Sequence, residues 1–363
     1  MRWTLRLGRV AGTEVRLHLT FFLLLAWFGL ENYKQGGLNG SIHGVLLVCL
    51  VFLCVLLHEF GHALAARRYG IRTPDITLFP IGGVARMERM PEKPSEEIVV
   101  AIAGPLVNVV IATVLWSALV GLRVPTGETW LRLNSTLAGE LLQINIVLVV
   151  FNLLPAFPMD GGRVLRAFMA MKMGHARATQ RAAKIGQVLA VGLGFLGLFG
   201  NPMLILVAFF VFTAAASEAG AAQLKSVSRG LPVSQAMVTN FQTLPRNASL
   251  REAADVLLRT SQHEFPVVDP DGTMRGIFDR DELLAALRES GPETPVTDVM
   301  NTDFPAVHPE TPFEHAFALM QKRDSAALPV TDDVGKLVGL FTLENVGEML
   351  MVRNAIASSR RAS

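Results

Sequence analysis

The stretch Leu57-His58-Glu59-Phe60-Gly61-His62-Ala63 constrains this chain more than any other, because it sets two imidazoles and a carboxylate inside an apolar run. The run begins near Ile42. Apart from Cys49 and Cys54, its only ionisable side chains as far as Ala66 are His43, His58, Glu59 and His62. About 20 apolar residues suffice for a helix to cross a bilayer. On such a helix His58 and His62, four apart, share one face. Two imidazoles at that spacing can bind one zinc, and the glutamate between them can act as a general base. An ionisable group at that depth is costly unless something offsets it, so its default reading is functional.

Composition sharpens this. The chain has 363 residues, of which 51% are hydrophobic, and residues up to about Gly220 hold nearly all the long apolar runs. The remainder alternates like a globular domain, so a membrane part and a soluble part are expected. The net charge of +2 gives no reason to expect nucleic-acid binding. No A-x-A-like cleavage site follows the first apolar run, which reads as a retained anchor. Cys49 and Cys54 imply no disulfide framework. Cys54 lies one turn before His58, but three ligands along one straight helix suit tetrahedral zinc poorly, so both cysteines read as small packing residues.

Six spans are expected: 17–30, 42–66, 98–122, 136–157, 186–199 and 202–217. Residues 31–41 and 123–135 read as polar loops, and 163–184 as a basic segment. The piece 76–87, broken by Pro80, Gly82 and Gly83, is too short to span and reads as a hairpin or re-entrant segment. Lys and Arg gather in the N-terminus, the 67–97 connector, the 163–184 segment and the tail after Lys225, so both termini are expected in the cytoplasm. His58, Glu59 and His62 then lie near the cytoplasmic end of the second span, and Asp160 near that of the fourth.

A catalytic zinc keeps about three protein ligands and one open position. Asp160, in Pro158-Met159-Asp160-Gly161-Gly162, is the strongest candidate for the third. The alternative is that Asp160 caps the following helix. Glu140 starts the fourth span at the opposite face and is a poorer candidate.

His58-Glu59-x-x-His62, followed much later by Asn152-Leu153-Leu154-Pro155-Ala156-Phe157-Pro158-Met159-Asp160-Gly161, resembles the site-2 protease family of intramembrane zinc metalloproteases. Gly104-Pro105-Leu106-Val107-Asn108 resembles that family's G-P-x-x-N element, and Phe79-Pro80-Ile81-Gly82-Gly83 its glycine-containing hairpin. The resemblance covers essentially the whole chain and implies hydrolysis of a peptide bond in or near a substrate's transmembrane helix, with one Zn2+ per chain. Its ligands would be His58, His62 and Asp160, and its general base Glu59. Asn152 is read as a donor to the oxyanion or to substrate backbone. Asn108, Gly82 and Gly83 are read as positioning substrate, with interhelical hydrogen bonding the alternative for Asn108 and Asn152. The family also implies a cell (inner) membrane location. Its substrates are single-span membrane proteins such as anti-sigma factors, sigma-factor precursors or membrane-tethered regulators.

Residues 231–290 and 295–352 read as two copies of one unit. Each opens with V-x-x-x-M (Val233–Met237, Val296–Met300), continues with an amphipathic helix (250–259, 312–322) and an apolar strand, and closes on Gly276-Ile277-Phe278-Asp279 or Gly339-Leu340-Phe341-Thr342. They resemble a cystathionine-β-synthase-type (CBS) pair. That family implies binding of ATP or another adenine nucleotide through Thr342 and Asn345, and homodimers built through the pair. In the first copy Asp279 and Glu282 depart from the pattern.

The expected fold is therefore an all-α polytopic membrane domain of six transmembrane helices with a short hairpin (1–225). A cytosolic α/β CBS pair (226–354) and a disordered tail (355–363) follow. The competing reading is a CBS-gated channel or ion transporter. It would spread polar groups through several spans, whereas here most of the deep ionisable groups gather at the cytoplasmic ends of two, Glu140 being the exception.

Overall fold

The computed structural model describes residues 3–80, 82–91, 93–121, 136–228, 230–260, 262–323 and 325–362. The expected loop 123–135 lies outside them. The chain divides into two compact units, Met1–Ala222 and Gln223–Ser363.

The first unit opens with two strands, β1 (Thr4–Val10) and β2 (Thr13–His18). They correct the all-α expectation. β2 alternates: Thr13, Val15 and Leu17 are buried, while Glu14, Arg16 and His18 are half-buried. That is the period-two pattern of a half-buried strand. Leu17 and His18, expected in the first span, belong to this strand.

Helix α1 (Thr20–Arg68) would be about 74 Å long if straight, more than twice the hydrocarbon thickness of a bilayer. It folds back instead. Gly36 and Gly37 leave helical geometry, Gly37 at φ +60°. The reversal brings Phe21 against Phe52 with ring centroids 4.6 Å apart, and Gly29 against Val45. The expected loop 31–41 is thus reduced to a two-glycine break in otherwise helical backbone.

Strands β3 (Asp75–Phe79) and β4 (Gly82–Arg86) pair antiparallel, and β3 joins β2 in parallel, giving a sheet ordered β1-β2-β3-β4. Helix α2 (Pro94–Gly121) follows and packs against α1. Helix α3 (Leu137–Asn152) stops before Pro155 and Pro158, so 153–159 is irregular and the fourth apolar run is only partly helical. The expected basic segment is ordered as helix α4 (Asp160–Met173) and the first turns of helix α5 (His175–Phe199). Helix α6 is Met203–Ser228. α2 is the hub, touching α1, α3 and α4.

Among the described residues, α1, α2, α5 and the part Met203–Leu224 of α6 are long and apolar enough to cross a membrane, and α3 is a shorter apolar helix. Leu23, Val188, Phe199 and Phe209 face outward, each about 70% exposed or more. Such a surface fits lipid better than water.

The second unit holds the two copies. The first contributes β5 (Leu244–Pro245), α7 (Leu250–Arg259), β6 (Glu264–Val268), β7 (Met274–Asp279) and α8 (Arg280–Glu289). The second contributes α9 (Phe313–Arg323), β8 (Ala327–Thr331), β9 (Leu337–Thr342) and α10 (Leu343–Ala362). α10 carries helix through the segment expected to be disordered; that segment holds no Gly or Pro to interrupt it.

The V-x-x-x-M elements are exchanged. Val233 and Ala236 are buried among Phe313, Leu328 and Phe341 of the second copy. Val296 is buried among Leu250, Phe265 and Phe278 of the first. Backbone bridges Val238–Leu340 and Ile277–Asn301 repeat the swap. Each copy's core is therefore completed by the other copy's opening turn. Val296→Ala should destabilise the unit by about 1–3 kcal/mol. Hydrogen exchange should quicken in β6 and β7 before β8 and β9.

Candidate metal centre

His58 and His62 lie one turn apart on the second leg of α1, with their rings edge-on at 82° and centroids 4.7 Å apart. Asp160 is the first residue of α4 and reaches them from another part of the chain. The three ligand atoms form a nearly equilateral triangle. Nε2 of His58 and Nε2 of His62 are 3.1 Å apart, and Oδ2 of Asp160 is 3.2 Å and 3.1 Å from them. All three residues are buried. The N-cap position of α4 is Met159, not Asp160, and the Asp160 carboxylate meets the two imidazoles instead.

The hydrogen bonds behind this triangle set the imidazole tautomers. His62 Nδ1 lies 2.7 Å from the Val100 carbonyl, which can only accept, so Nδ1–H donates. The His58 side is fixed from further back. Asn145 Nδ2 donates to the Leu141 carbonyl at 2.8 Å, which turns Asn145 Oδ1 toward Asn108. Asn108 Nδ2 donates to that oxygen at 2.8 Å, which turns Asn108 Oδ1 toward His58 Nδ1, 2.5 Å away. Both Nε2 atoms are then bare lone pairs facing each other and an anionic oxygen. Such a cluster repels itself unless a cation sits among its members. Ligands on a tetrahedral ion with bonds of about 2.0–2.2 Å stand about 3.3–3.6 Å apart, within a few tenths of an ångström of this triangle. The donor set, two imidazoles and a carboxylate, suits zinc. The residues present therefore fit a bound Zn2+.

Neighbouring backbone is shaped to the site. A methyl group at Gly104 of α2 would overlap His62 Nε2 and stand 2.8 Å from His58 Nε2, so only glycine leaves room for both rings. Gly161 and Gly162 let the first turn of α4 close onto the carbonyls of Leu153, Leu154 and Ala156. Arg166 of α4 donates through Nε to Glu97 Oε1 of α2 at 2.7 Å, both residues buried. This pair ties the helix that begins at Asp160 to the helix whose Val100 carbonyl holds His62.

Glu59 is half-buried, and among the described residues it makes no hydrogen bond or ion pair, so its carboxylate is uncommitted. β4 runs beside it: a methyl group at Gly83 would lie 2.7 Å from Glu59 Cγ. Gly82, at φ +137°, occupies backbone that L side chains rarely adopt. Asn152 is the last residue of α3 and is half-buried.

Two expectations need correction. Asn108 is fully buried with its amide committed to His58 and Asn145, so it positions a ligand rather than substrate. Glu140, expected to be solvated, pairs with His43 at 2.9 Å. Asn145 and the Val100 carbonyl were not singled out by the sequence. A carbonyl carries no sequence signal, whereas an asparagine inside an apolar run is a detectable one.

Thr342 and Asn345 occupy the end of β9 and the first turn of α10. Thr342 Oγ1 accepts from Asn345 N at 3.2 Å, and Asn345 Nδ2 donates to the Ala236 carbonyl at 2.6 Å. Asp279 and Glu282 hold the same places in the first copy, where they form a capping box on α8. These positions therefore already serve as helix caps.

Comparison with known proteins gives a consistent picture. Residues 46–125 and 127–197 match the family model "Peptidase family M50", and residues 233–289 and 296–350 match "CBS domain". Zinc metalloprotease MJ0392 of Methanocaldococcus jannaschii is 36% identical over 272 residues, covering 74% of this chain and 76% of its own. The protein sll0528 of Synechocystis sp. is 28% identical over 375 residues, covering 98% of this chain and 97% of its own. The solved structure of a site-2 protease from Methanocaldococcus jannaschii is 38% identical, with a TM-score of 0.45, covering 60% of this chain and 95% of that one.

Asn145→Leu keeps the bulk of the side chain and removes the amide that aims Asn108. Zinc affinity, measured by chelator competition, should fall about 10–100-fold. Gly104→Ala should leave the purified protein without stoichiometric zinc.

Proposed function

The chain belongs to peptidase family M50, the site-2 zinc metalloproteases, and on that premise we propose that it hydrolyses a peptide bond in or near the transmembrane segment of a membrane-anchored regulatory protein. The observation that carries this is the buried triangle of His58, His62 and Asp160 with the uncommitted Glu59 carboxylate beside it.

His58, His62 and Asp160 hold the ion, and Asn108 and the Val100 carbonyl keep the two imidazoles in the tautomer that ligates. When bound, Zn2+ supplies a Lewis acid and lowers the pKa of its water to about 7. Glu59 accepts a proton from the attacking water and later returns it to the nitrogen of the leaving amine, so one carboxylate serves both halves of the reaction. Asn152 donates a hydrogen bond to the oxygen that gains charge as the carbonyl is attacked. A helical substrate hides its peptide groups and must unwind first. Among the described residues β4 is the last strand of its sheet, and its outer edge takes the unwound segment as an added strand. Gly83 lets that edge lie against Glu59.

The two legs of α1 with α2, α3, α5 and α6 make six spans in this reading, with both termini in the cytoplasm of a cell (inner) membrane. The CBS pair, 226–354, modulates cleavage by binding ATP or another adenine nucleotide near Thr342 and Asn345, and it joins two copies into a homodimer. The channel reading loses ground because His58, His62 and Asp160 meet at one point in ligand geometry instead of lining a path, and the buried Glu97 is already paired with Arg166.

Purified wild type and Glu59→Gln should each carry one zinc, while cleavage of a model single-span substrate should fall about 10²–10⁴-fold in the variant. Equal cleavage would end the assignment of Glu59 as base. Gly83→Val, which puts a branched side chain against Glu59, should abolish cleavage at unchanged zinc content. Cleavage by that variant would remove β4 from the substrate path.

A further inference from the structure

Where the second leg of α1 ends, a cavity of about 370 Å³ opens between the β1–β2 turn, the last turns of the helix and the segment leading to β3. That volume lies within the range of about 300–1,000 Å³ typical of small-molecule sites. The cavity has two kinds of wall. One is apolar and belongs to the membrane helix, with Phe60 and Leu64. Leu64 is 51% exposed, so this wall continues onto the outer surface of the span. The other is cationic, with Arg9, Arg67 and Arg72. Among the described residues that line it, Glu88 is the one carboxylate against three arginines, which leaves an excess of positive charge.

The arginines are partly pre-organised. Arg67 Nη1 donates to the Ala11 carbonyl at 3.1 Å, and Arg9 Nε to the Gly12 carbonyl at 3.2 Å. Each of these contacts uses one N–H of five and leaves the others free for a ligand. Among the described residues the Arg72 side chain makes no hydrogen bond or ion pair.

We infer that this cavity binds the phosphate of an anionic phospholipid, with the glycerol and upper acyl chain lying along Phe60 and Leu64. The apolar wall selects lipid over free phosphate. It runs from the exposed face of a helix long and apolar enough to cross a membrane, and the arginines stand where that apolar sequence gives way to Arg67-Arg68. Arginine forks match phosphate oxygens, and guanidinium groups at this level of a bilayer attract anionic headgroups. The inference rests on the membrane placement of α1 and not on peptide-bond hydrolysis. A lipid held here would brace the β1–β2 turn against the helix that carries His58, Glu59 and His62.

The test uses the full chain in phosphatidylcholine nanodiscs, titrated with short-chain phosphatidylglycerol and, separately, inorganic phosphate. Binding is read by native mass spectrometry, and zinc content serves as a check that the membrane unit is folded. Wild type should bind one phosphatidylglycerol saturably, and phosphate should fail to displace it. Arg9→Gln/Arg67→Gln/Arg72→Gln should bind it more than 100-fold more weakly, at about fivefold per arginine removed, with zinc unchanged. The inference is overturned if the triple variant binds phosphatidylglycerol as tightly as wild type. It is also overturned if inorganic phosphate displaces the lipid, which would make this a free-anion site. A third contrary result is unchanged lipid binding in the triple variant with a raised KM only for substrates carrying acidic residues beside their membrane span, which would make it a peptide site.

Discussion

Three ligand atoms from two distant stretches of chain meet within about 3 Å of one another in a buried pocket, and most of the first unit can be understood as the framework that holds them there. Two bare imidazole nitrogens and a carboxylate do not come together spontaneously. The arrangement depends on the directional chain from Leu141 through Asn145 and Asn108 to His58, and on the Val100 carbonyl at His62. α2 supplies Val100, Gly104 and Asn108 to that framework, and through Glu97 it also anchors α4 behind Asp160. A single helix thus sets the tautomers, clears space for the rings and fixes the depth of the carboxylate.

Close backbone approach shapes the same site. Gly61 lies so near α2 that a methyl group there would come within 2.6 Å of the Ala103 carbonyl, Gly104 abuts the imidazoles, and Gly83 abuts Glu59. In each case the missing Cβ lets a neighbouring element reach the ligand-bearing leg of α1. These glycines do their work through absent volume, so enlarging one shifts a functional group without adding any polar chemistry.

The site was largely legible in the sequence because its chemistry is demanding. Few residue types ligate zinc, helical spacing places two of them on one face, and charge inside an apolar run is costly enough to be informative. What surrounds the site was less legible. Asn108 read as a substrate contact because an asparagine amide looks the same whether it faces a ligand or a histidine. The strands β1 and β2 were hidden by their arginines, although the Thr13, Val15, Leu17 alternation was there to be read. The reversal at Gly36-Gly37 was expected as a longer loop, since helix can run nearly to such a break from both sides. In the second unit the repeat was visible, but the exchange of Val233 and Val296 between copies was not, because a repeat shows which residues correspond and not which ones touch.

The proposed chemistry depends on the identity of the three ligands, and zinc-edge X-ray absorption of the purified 363-residue chain reads that identity. It predicts one zinc with only nitrogen and oxygen neighbours at about 2.0–2.2 Å, two of them imidazoles, and loss of one oxygen in Asp160→Ala. A sulfur neighbour at about 2.3 Å would implicate Cys54 and contradict the ligand set, as would a spectrum unchanged by the loss of Asp160.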